Sequence, residues 1–390
     1  MITRIASEKL AELASMFKAV AVIGPRQSGK TTLVKSLFPL KQYVNFENPD
    51  VRFLANEDPR GFLVKYADGA IFDEVQRVPQ IFSYLQEILD NSKDRGKFIL
   101  TGSNNFLLQE NISQSLAGRV AYLQLLPFNL EELAGQNKSL DENEIIFRGF
   151  YPAPIDMEIP VIEWMPNYIR TYIERDVRQV KNITDLLIFE RFMRLLASRT
   201  GQELNYSSLS IEVGVDSKTL QSWIGILESS FIIYLLRPHY KNFNKTVVKR
   251  PKLYFIDTGL ACSLLGISTI DHLLNHPLRG SLFECFIVSE LIKQLTHRGK
   301  EINLYYWRDK TGHEIDLIID QVLTLVPVEI KSGKTVHAEF FKNLHYWSKL
   351  TGTKNAALIY AGEQEINYQN GIQLLSWKSL YRPFEIPIIS

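Results

Sequence analysis

One octet constrains the fold of this 390-residue chain more than any other stretch: residues 24–31, Gly-Pro-Arg-Gln-Ser-Gly-Lys-Thr. The octet matches the phosphate-binding loop, which begins with a glycine and ends with Gly-Lys and a hydroxyl-bearing residue. The apolar residues 20–23 precede it and are typical of a buried strand. Residues 32–38 can continue as a helix, so the sequence supplies the strand, the loop and the helix that the pattern requires.

The loop residues have the chemistry that a nucleoside triphosphate requires. Gly24 and Gly29 permit a positive φ and close approach of phosphate oxygens, and the backbone N–H groups form an anion site with the helix N-terminus. Lys30 would neutralise the β- and γ-phosphates, and the Thr31 hydroxyl would hold Mg²⁺. The residues predicted to bind the nucleotide are Gly24, Pro25, Arg26, Gln27, Ser28, Gly29, Lys30, Thr31 and Thr32. The alternative is a chance match in a glycine-containing turn.

The composition is that of an ordinary soluble globular protein, with 45% apolar and 22% charged residues. The length favours two or three domains. The net charge of +1 gives no global electrostatic argument for nucleic-acid binding, so any such site must be local. The sequence shows no leader peptide and no apolar run of about 18 residues, and Cys262 and Cys285 are most simply small core residues. We therefore expect a cytoplasmic protein without a membrane segment.

A second motif follows the loop by about fifty residues. Within residues 69–76, an apolar strand ends in Asp73 and Glu74. Asp73 would complete the magnesium shell, and Glu74 would orient or deprotonate the attacking water. The alternative is a solvated strand end. Because the guanine-reading sequence Asn-Lys-x-Asp is absent, we expect ATP rather than GTP.

Residues 97–104 read as a third apolar strand that ends in small polar side chains. Ser103 or Asn104 could sense the γ-phosphate from the end of this strand. Arg119 follows a glycine at a turn and could aim its guanidinium at a phosphate of its own subunit or of the next one. A surface ion pair is the alternative for Arg119. Strands that alternate with helices predict a parallel sheet covered by helices.

Residues 186–236 have the pattern of a winged helix-turn-helix: two helices, a glycine-containing turn, a third helix capped by Asp216 or Ser217, and a strand. Lys218 and Gln221 on the third helix are candidate DNA contacts. Residues 229–256 contain no acidic residue, and their basic residues would fall on the wing and contact a phosphate backbone. These residues are Arg237, Lys241, Lys245, Lys249, Arg250 and Lys252. The alternative is a helical packing module with a solvated basic hairpin.

Residues 303–308, 313–320 and 325–331 read as three consecutive strands. Glu329 and Lys331 are two residues apart on one strand and share a face, and Asp316 on the neighbouring strand can lie opposite. With Glu284 from the preceding helix, the carboxylates could hold a second Mg²⁺ or Mn²⁺, and Lys331 would steady the nucleophile in phosphodiester cleavage. The alternative is a decayed domain that binds DNA or serves as a scaffold.

Four segments together resemble the AAA-family ATPases of bacteria and archaea that carry a C-terminal domain of unknown function, DUF4143. The segments are residues 24–32, 71–76, 100–104 and 116–119. The resemblance implies sensor roles for Ser103 and Asn104, and a role for Arg119 at the boundary between subunits of a homo-oligomer. The C-terminal region also resembles the restriction-endonuclease superfamily. It departs from that pattern in having Ile315 before Asp316, and in lacking a glutamine-containing motif at residues 340–347.

These observations predict an α/β protein of four segments. They are an AAA-type P-loop ATPase core (1–135), lid and linker helices (136–182), a winged helix-turn-helix (183–250) and a restriction-endonuclease-like DUF4143 domain (251–390). We expect ATP binding and hydrolysis coupled to a C-terminal region that engages DNA and cuts it with a divalent metal. The alternative is a nucleotide-dependent regulatory protein in which a catalytically dead nuclease fold is a platform for a partner. A small-molecule kinase is disfavoured because no acceptor site follows the core.

Overall fold

The computed structural model describes residues 2–103, 112, 116–135, 141–172, 185–240, 248–321 and 323–383. The chain divides into two compact units. The first consists of Met1–Phe128 together with Ser229–Phe231 and Leu295–Lys300. The second consists of Asn129–Glu228, Ile232–Gln294 and Glu301–Ser390.

The first unit is built on a five-stranded parallel sheet in the order β2-β3-β4-β1-β5. Its described strands are β1 (Ala19–Ile23), β2 (Gln42–Asn45), β3 (Ala70–Asp73), β4 (Phe98–Gly102) and β5 (Val120–Gln124). Its described helices are α1 (Ala6–Met16), α2 (Lys30–Leu37), α3 (Pro49–Glu57), α4 (Pro59–Val64) and α5 (Ile81–Asn91), with a 3₁₀ turn at Val75–Arg77. The predicted parallel sheet with covering helices is therefore confirmed.

The buried strands explain why this sheet forms. Every residue of β1, β3 and β4 is buried, which is typical of central strands of a parallel sheet covered on both faces. Leu10 of α1 and Leu33 of α2 pack in one apolar cluster with Val20 of β1. Phe72 of β3 and Phe98 of β4 stack with ring centroids 5.3 Å apart. Because the strands are parallel, their carboxyl ends meet at one edge, where the segments that follow β1, β3 and β4 converge.

The second unit begins with helices. Its described helices are α6 (Leu130–Leu133), α7 (Glu142–Arg148), α8 (Pro152–Asp156), α9 (Val161–Tyr172), α10 (Leu186–Ala197), α11 (Tyr206–Val213), α12 (Ser217–Ser229), α13 (Thr258–Leu264), α14 (Ile270–Leu274), α15 (Arg279–His297) and α16 (Lys342–Thr351). Phe189 and Phe192 of α10 pack on Trp223 of α12, with ring centroids 5.1 and 5.4 Å away. An antiparallel hairpin of β6 (Ile233–Leu236) and β7 (Lys252–Phe255) follows α12.

A six-stranded mixed sheet forms the rest of the second unit, in the order β12-β13-β11-β10-β9-β8. Its strands are β8 (Leu304–Arg308), β9 (Glu314–Asp320), β10 (Leu325–Lys331), β11 (Ala356–Tyr360), β12 (Ile366–Asn367) and β13 (Ile372–Ser376). The first three are the strands predicted from the sequence. β8, β9 and β10 pair antiparallel, whereas β10, β11 and β13 pair parallel. Trp307 of β8 and Trp347 of α16 pack edge to face, with ring centroids 5.3 Å apart.

Cys262 and Cys285 are buried and form no disulfide. Burial also raises the pKa of both thiols well above the ordinary value, which is typical of cysteines that serve as packing residues. No helix in the described part of the chain has the length and apolar character that a membrane crossing requires.

Candidate functional site

The loop between β1 and α2 has a backbone that requires its two glycines. Gly24 has a φ of +155°, and a Cβ atom there would lie 2.0 Å from the carbonyl oxygen of Leu125. Gly29 has a φ of +91° and forms the N-cap of α2. A side chain at Gly24 would clash with backbone, and one at Gly29 would be strained by its left-handed conformation. The glycine spacing seen in the sequence therefore specifies the shape of the loop.

Lys30 is buried at the start of α2, and its ammonium group lies against the loop. Nζ donates hydrogen bonds to the carbonyl oxygens of Gly24 (2.9 Å) and Pro25 (2.8 Å). These bonds draw the two ends of the loop together around the charge. The loop is thus held in a closed shape with its positive charge inside it, next to the anion site formed by the N-terminus of α2.

Thr31 and Asp73 meet at the carboxyl edge of the sheet, as the sequence predicted for the magnesium site. The Thr31 hydroxyl donates to Asp73 Oδ2 at 2.9 Å. The Thr101 hydroxyl donates to Asp73 Oδ1, and the Tyr43 hydroxyl donates to Oδ2 at 2.6 Å. A hydroxyl and a carboxylate are oxygen ligands of the kind that Mg²⁺ prefers, so these residues fit the metal that a triphosphate brings with it.

Glu74 follows Asp73 and has an unusual backbone conformation, with a φ of +55°. Its Oε2 accepts hydrogen bonds from Ser103 Oγ (2.9 Å) and Gln76 Nε2 (2.6 Å). A left-handed conformation at a residue other than glycine is uncommon and is maintained only where its surroundings hold it in place. The carboxylate is thus fixed beside the end of β4, and Ser103, predicted to be a sensor, contacts the predicted water-orienting residue. Asn104, the second predicted sensor, lies outside the described residues.

Arg119 does not point toward the loop in this structure. Its Nε and Nη2 donate to the two carboxylate oxygens of Asp90, at 2.5 and 3.0 Å. The hydrogen bond from Arg119 lowers the pKa of Asp90. The structure thus shows the ion pair that was the alternative to phosphate contact for this residue.

Two residues of this site, Arg4 and Tyr43, were not predicted from the sequence. Arg4 is buried and donates to the carbonyl oxygens of Ser28 and Leu126, both at 2.7 Å, so it anchors the back of the loop. Tyr43 contacts Asp73 because β2 lies beside β3 in the sheet. Burial, and next the hydrogen bond to Asp73, raise the pKa of the Tyr43 hydroxyl well above its ordinary value. No local pattern marks Arg4, whereas Tyr43 could have been found only from the strand order.

Tyr43→Phe should lower the Mg²⁺ concentration required for half-maximal ATP turnover by roughly threefold to tenfold. The Tyr43 hydroxyl donates to the Asp73 oxygen that also faces Thr31, so it competes with a cation for that oxygen. A Mg²⁺ titration of turnover at saturating ATP measures the effect. Tyr122→Phe, which alters an exposed tyrosine of β5, is the matched control. A higher Mg²⁺ requirement in Tyr43→Phe would contradict competition, and would show instead that the phenol holds the carboxylate in its binding orientation.

A second group of charged residues lies in the second unit, where β9 and β10 pair. Lys331 Nζ lies 3.1 Å from Asp316 Oδ2 and 2.6 Å from Glu329 Oε2, so the predicted Asp, Glu and Lys come together. The backbone N–H of Ile330 also donates to Asp316, at 2.9 Å. Burial, and next the Asp316 carboxylate, raise the pKa of Glu329 to about 8. The two-residue spacing on β10 places Glu329 and Lys331 together, and the pairing of β10 with β9 brings Asp316 beside them.

Glu284 of α15 has other partners, which the sequence did not reveal. Its Oε1 accepts from Tyr254 (2.5 Å) and from Lys252 Nζ (3.1 Å), and Lys252 also pairs with Glu314. The assignment of Lys252 to an exposed basic surface is therefore wrong, because this lysine is 3% exposed and faces carboxylates. Burial opposes its charge most strongly, but the combined attraction of Glu284 and the other acidic groups around it outweighs burial, so the pKa of Lys252 lies well above its ordinary value.

The predicted second metal site at Glu284, Asp316 and Glu329 does not fit this arrangement. Among the described residues, no three histidine, cysteine or acidic side chains are grouped so that they could hold a metal ion. The carboxylates are paired with ammonium groups instead, Glu284 with Lys252 and the other two with Lys331. This group is accordingly a lysine–carboxylate network in the structure.

The helices predicted to contact DNA are present as α11 and α12. They are joined by a turn in which Gly214 has a φ of +84°, and Asp216 caps α12 by accepting from the N–H groups of Lys218 and Thr219. Lys218 and Gln221 are exposed on α12. Lys249 and Arg250 are exposed before β7, whereas residues 241–247 of the predicted wing, which include Lys241 and Lys245, lie outside the described part of the chain.

Three family models match the chain. An AAA domain matches residues 16–134, a domain of unknown function (DUF8612) matches 140–271, and a domain of unknown function (DUF4143) matches 279–380. The parallel sheet, the phosphate-binding loop and the AAA match together define the first unit as an AAA-type P-loop ATPase domain.

Relatives of this chain occur in bacteria and archaea. The uncharacterized protein Rv2008c of Mycobacterium tuberculosis is 30% identical over 321 residues, which cover 81% of this chain and 70% of the relative. The uncharacterized protein MJ1544 of Methanocaldococcus jannaschii is 23% identical over 336 residues, which cover 77% of this chain and 72% of the relative. The chain belongs to the same protein family as the mycobacterial relative. Along the chain, an AAA domain is followed by a DUF8612 domain and a DUF4143 domain.

Solved structures also show likeness. The Walker-type ATPase PABY2304 of Pyrococcus abyssi is 15% identical, with a TM-score of 0.44 over 66% of this chain and 94% of that one. A STAND protein with a tetratricopeptide repeat sensor from Pyrococcus horikoshii is 13% identical, with a TM-score of 0.26 over 76% of this chain and 47% of that one.

Proposed function

We propose that the chain binds ATP together with Mg²⁺ in its first unit and hydrolyses it. The observation that carries this proposal is the convergence at the carboxyl edge of the sheet, where Thr31 lies 2.9 Å from Asp73 and the Lys30 ammonium lies within the loop. Nucleoside triphosphatases use this set of groups, an ammonium beside a hydroxyl and a carboxylate, to hold a metal–triphosphate. The AAA domain match supports the same proposal.

Each group has a distinct role in the proposed reaction. Lys30 exchanges the two loop carbonyls for oxygens of the β- and γ-phosphates. Thr31 and Asp73 would hold Mg²⁺, which supplies neutralisation of the phosphate charge. Glu74 orients the attacking water and accepts its proton, and the hydrogen bonds on its Oε2 leave Oε1 to face that water.

Ser103 and Arg119 would connect the nucleotide to the rest of the protein. Because Ser103 contacts Glu74, a γ-phosphate that attracts the serine hydroxyl would also alter the position of the carboxylate. The Arg119 side chain is 29% exposed, and in a homo-oligomer it could exchange the Asp90 carboxylate for a phosphate of the adjacent subunit. Asn104 is retained as a second sensor on the basis of its position in the sequence.

A second proposed function is DNA contact by residues 183–250, acting as a winged helix-turn-helix. It is supported by the α11–turn–α12 geometry, with the exposed Lys218 and Gln221 on the second of these helices. Lys249 and Arg250 are exposed where the wing joins β7, and could contact the phosphate backbone. We also propose that residues 251–390 have a restriction-endonuclease-like fold, given helix α15 and the mixed sheet.

Two activities remain for this nuclease-like region: cutting DNA with a divalent metal, or binding a partner as an inactive platform. The presence of Asp316, Glu329 and Lys331 on paired strands supports the first. The pairing of Glu284 with Lys252 supports the second, because a carboxylate that would be a metal ligand is already neutralised. We propose that this region is an inactive platform that binds a partner.

One preparation tests both functions, through its ATP turnover and its DNA binding in Mg²⁺ buffer. We expect turnover by the wild type, and we expect Lys249→Glu/Arg250→Glu to weaken DNA binding and reduce its salt slope by about two, since each lost phosphate contact removes about one. Lys342→Glu/Lys349→Glu, on the exposed face of α16, is the charge-matched control.

Each proposal fails on a different result. Absence of ATP turnover by the wild type contradicts the proposed ATPase activity. Unchanged DNA affinity in Lys249→Glu/Arg250→Glu contradicts the proposed DNA contact through the wing. If the wild type cuts DNA with Mn²⁺ and Asp316→Ala does not, the proposal of an inactive platform is contradicted and the region is a nuclease.

A further inference from the structure

The lysine–carboxylate network of the second unit contains more charge than the predicted Asp, Glu and Lys. Its acidic members are Glu284, Glu314, Asp316 and Glu329, and its basic members are Lys252 and Lys331, with Arg308 at the outer edge. Buried charges are stable only when they are paired. The four carboxylates are therefore held together by the ammonium groups between them.

The two lysines differ in how they enter the network. The Lys331 side chain is 27% exposed and is on the same strand as Glu329. Lys252 is on β7, its side chain is 4% exposed, and it pairs with Glu284 (3.1 Å) and with Glu314. Lys252 is thus the more deeply buried cation, and it pairs with the two carboxylates that Lys331 does not.

The buried carboxylate of Glu329 is a second feature of this network, independent of the lysine pairing. It is fully buried, and its Oε1 has no hydrogen-bond partner among the described residues. Asp316, Lys331 and Lys252 are the charges that act on it. Because buried polar oxygens are nearly always paired, an unpaired carboxylate oxygen facing a charged network is suited to receiving a cation.

We propose that Lys252 is the internal counter-ion of this network, and that its ammonium group excludes a divalent cation that the carboxylates would otherwise bind. The ammonium is attached to β7 and cannot diffuse away, so it competes at a high effective concentration. Removing its charge leaves Lys331, which pairs only with Asp316 and Glu329, and leaves Glu284 without its ammonium partner. This inference goes beyond the proposed functions and requires neither ATP hydrolysis nor DNA binding.

The test is the affinity of nucleotide-free protein for Mn²⁺, measured by electron paramagnetic resonance. We expect Lys252→Met to bind one additional Mn²⁺ at least about tenfold more tightly than the wild type, because a positive charge in direct contact with the carboxylates is lost. Mn²⁺ should also raise the melting temperature of Lys252→Met but not that of the wild type, since a ligand stabilises the form that binds it. Adding Glu284→Gln to Lys252→Met should abolish the additional binding.

Lys334→Met is the matched control, because this lysine also pairs with a carboxylate of the second unit, Glu142 (2.8 Å), outside the network. Any Mn²⁺ bound at Asp73 appears equally in this control. Lys252→Gln provides a second neutral variant that can still donate a hydrogen bond to Glu284.

Equal Mn²⁺ affinity in the wild type and in both Lys252 variants overturns the proposal, as does tight Mn²⁺ binding by the wild type beyond that at Asp73. Failure of both variants to fold in buffer containing Mn²⁺ also overturns it, because the cation should replace the ammonium. A wild-type protein that neither hydrolyses ATP nor binds DNA would contradict the proposed functions, but it would not affect the Mn²⁺ comparison between the wild type and the Lys252 variants.

Discussion

Lys30→Ala will weaken ATP binding by at least about a hundredfold, because the ammonium that neutralises the β- and γ-phosphates is removed from a buried position. The loop also loses the hydrogen bonds that join Nζ to the carbonyl oxygens of Gly24 and Pro25. The alanine variant therefore lacks both the charge and the closed shape of the loop. Isothermal titration calorimetry with a nonhydrolysable ATP analogue and Mg²⁺ measures the loss.

Lys35→Ala is the control that separates a specific role from a general loss of charge. Lys35 is on the same helix, but its ammonium lies over the ring of Tyr43, 3.4 Å from the ring centroid. We expect this variant to bind ATP within a fewfold of the wild type. Near-normal affinity in Lys30→Ala, with a melting temperature like that of the wild type, would contradict the assignment of the loop as the nucleotide site.

The first unit could be predicted to a large extent because its determinants are local. The left-handed backbone at Gly29 and the close approach of Leu125 to Gly24 both require glycine at a fixed position, and the octet has glycine at both positions. The meeting of Thr31 and Asp73 follows once both strands are known to be parallel. The roles of Arg4 and Tyr43 depend on which segments become neighbours, and the sequence contains no pattern that specifies that.

In the second unit, too, local features could be predicted, whereas contacts between distant segments could not. The shared face of Glu329 and Lys331 follows from the two-residue period of a strand, and Asp316 follows from pairing with the next strand. Lys252 was counted with the basic residues of the wing because the surrounding stretch contains no acid. Its acidic partners are on α15 and β9, more than thirty residues away in the chain. A charge excess within a segment therefore did not indicate whether a given lysine faces solvent or a buried carboxylate.

Glu74→Gln will slow ATP hydrolysis by about a hundredfold or more while leaving ATP affinity within a fewfold of the wild type. Glutamine keeps the size of the side chain and an oxygen that can accept from Ser103 and Gln76, so the left-handed backbone at residue 74 is retained. It cannot accept the proton of the attacking water. Single-turnover hydrolysis and calorimetric ATP affinity, measured on the same preparation, separate chemistry from binding.

The control for Glu74→Gln is Glu87→Gln, which removes an exposed carboxylate that pairs with Arg60 in the same unit. That variant should hydrolyse ATP at the wild-type rate. Unchanged turnover in Glu74→Gln would remove Glu74 from the catalytic role and leave its strained backbone without a function. Equal losses of affinity and turnover would instead show that Glu74 stabilises the bound nucleotide, because a group that acts only in the chemical step leaves ground-state binding unchanged.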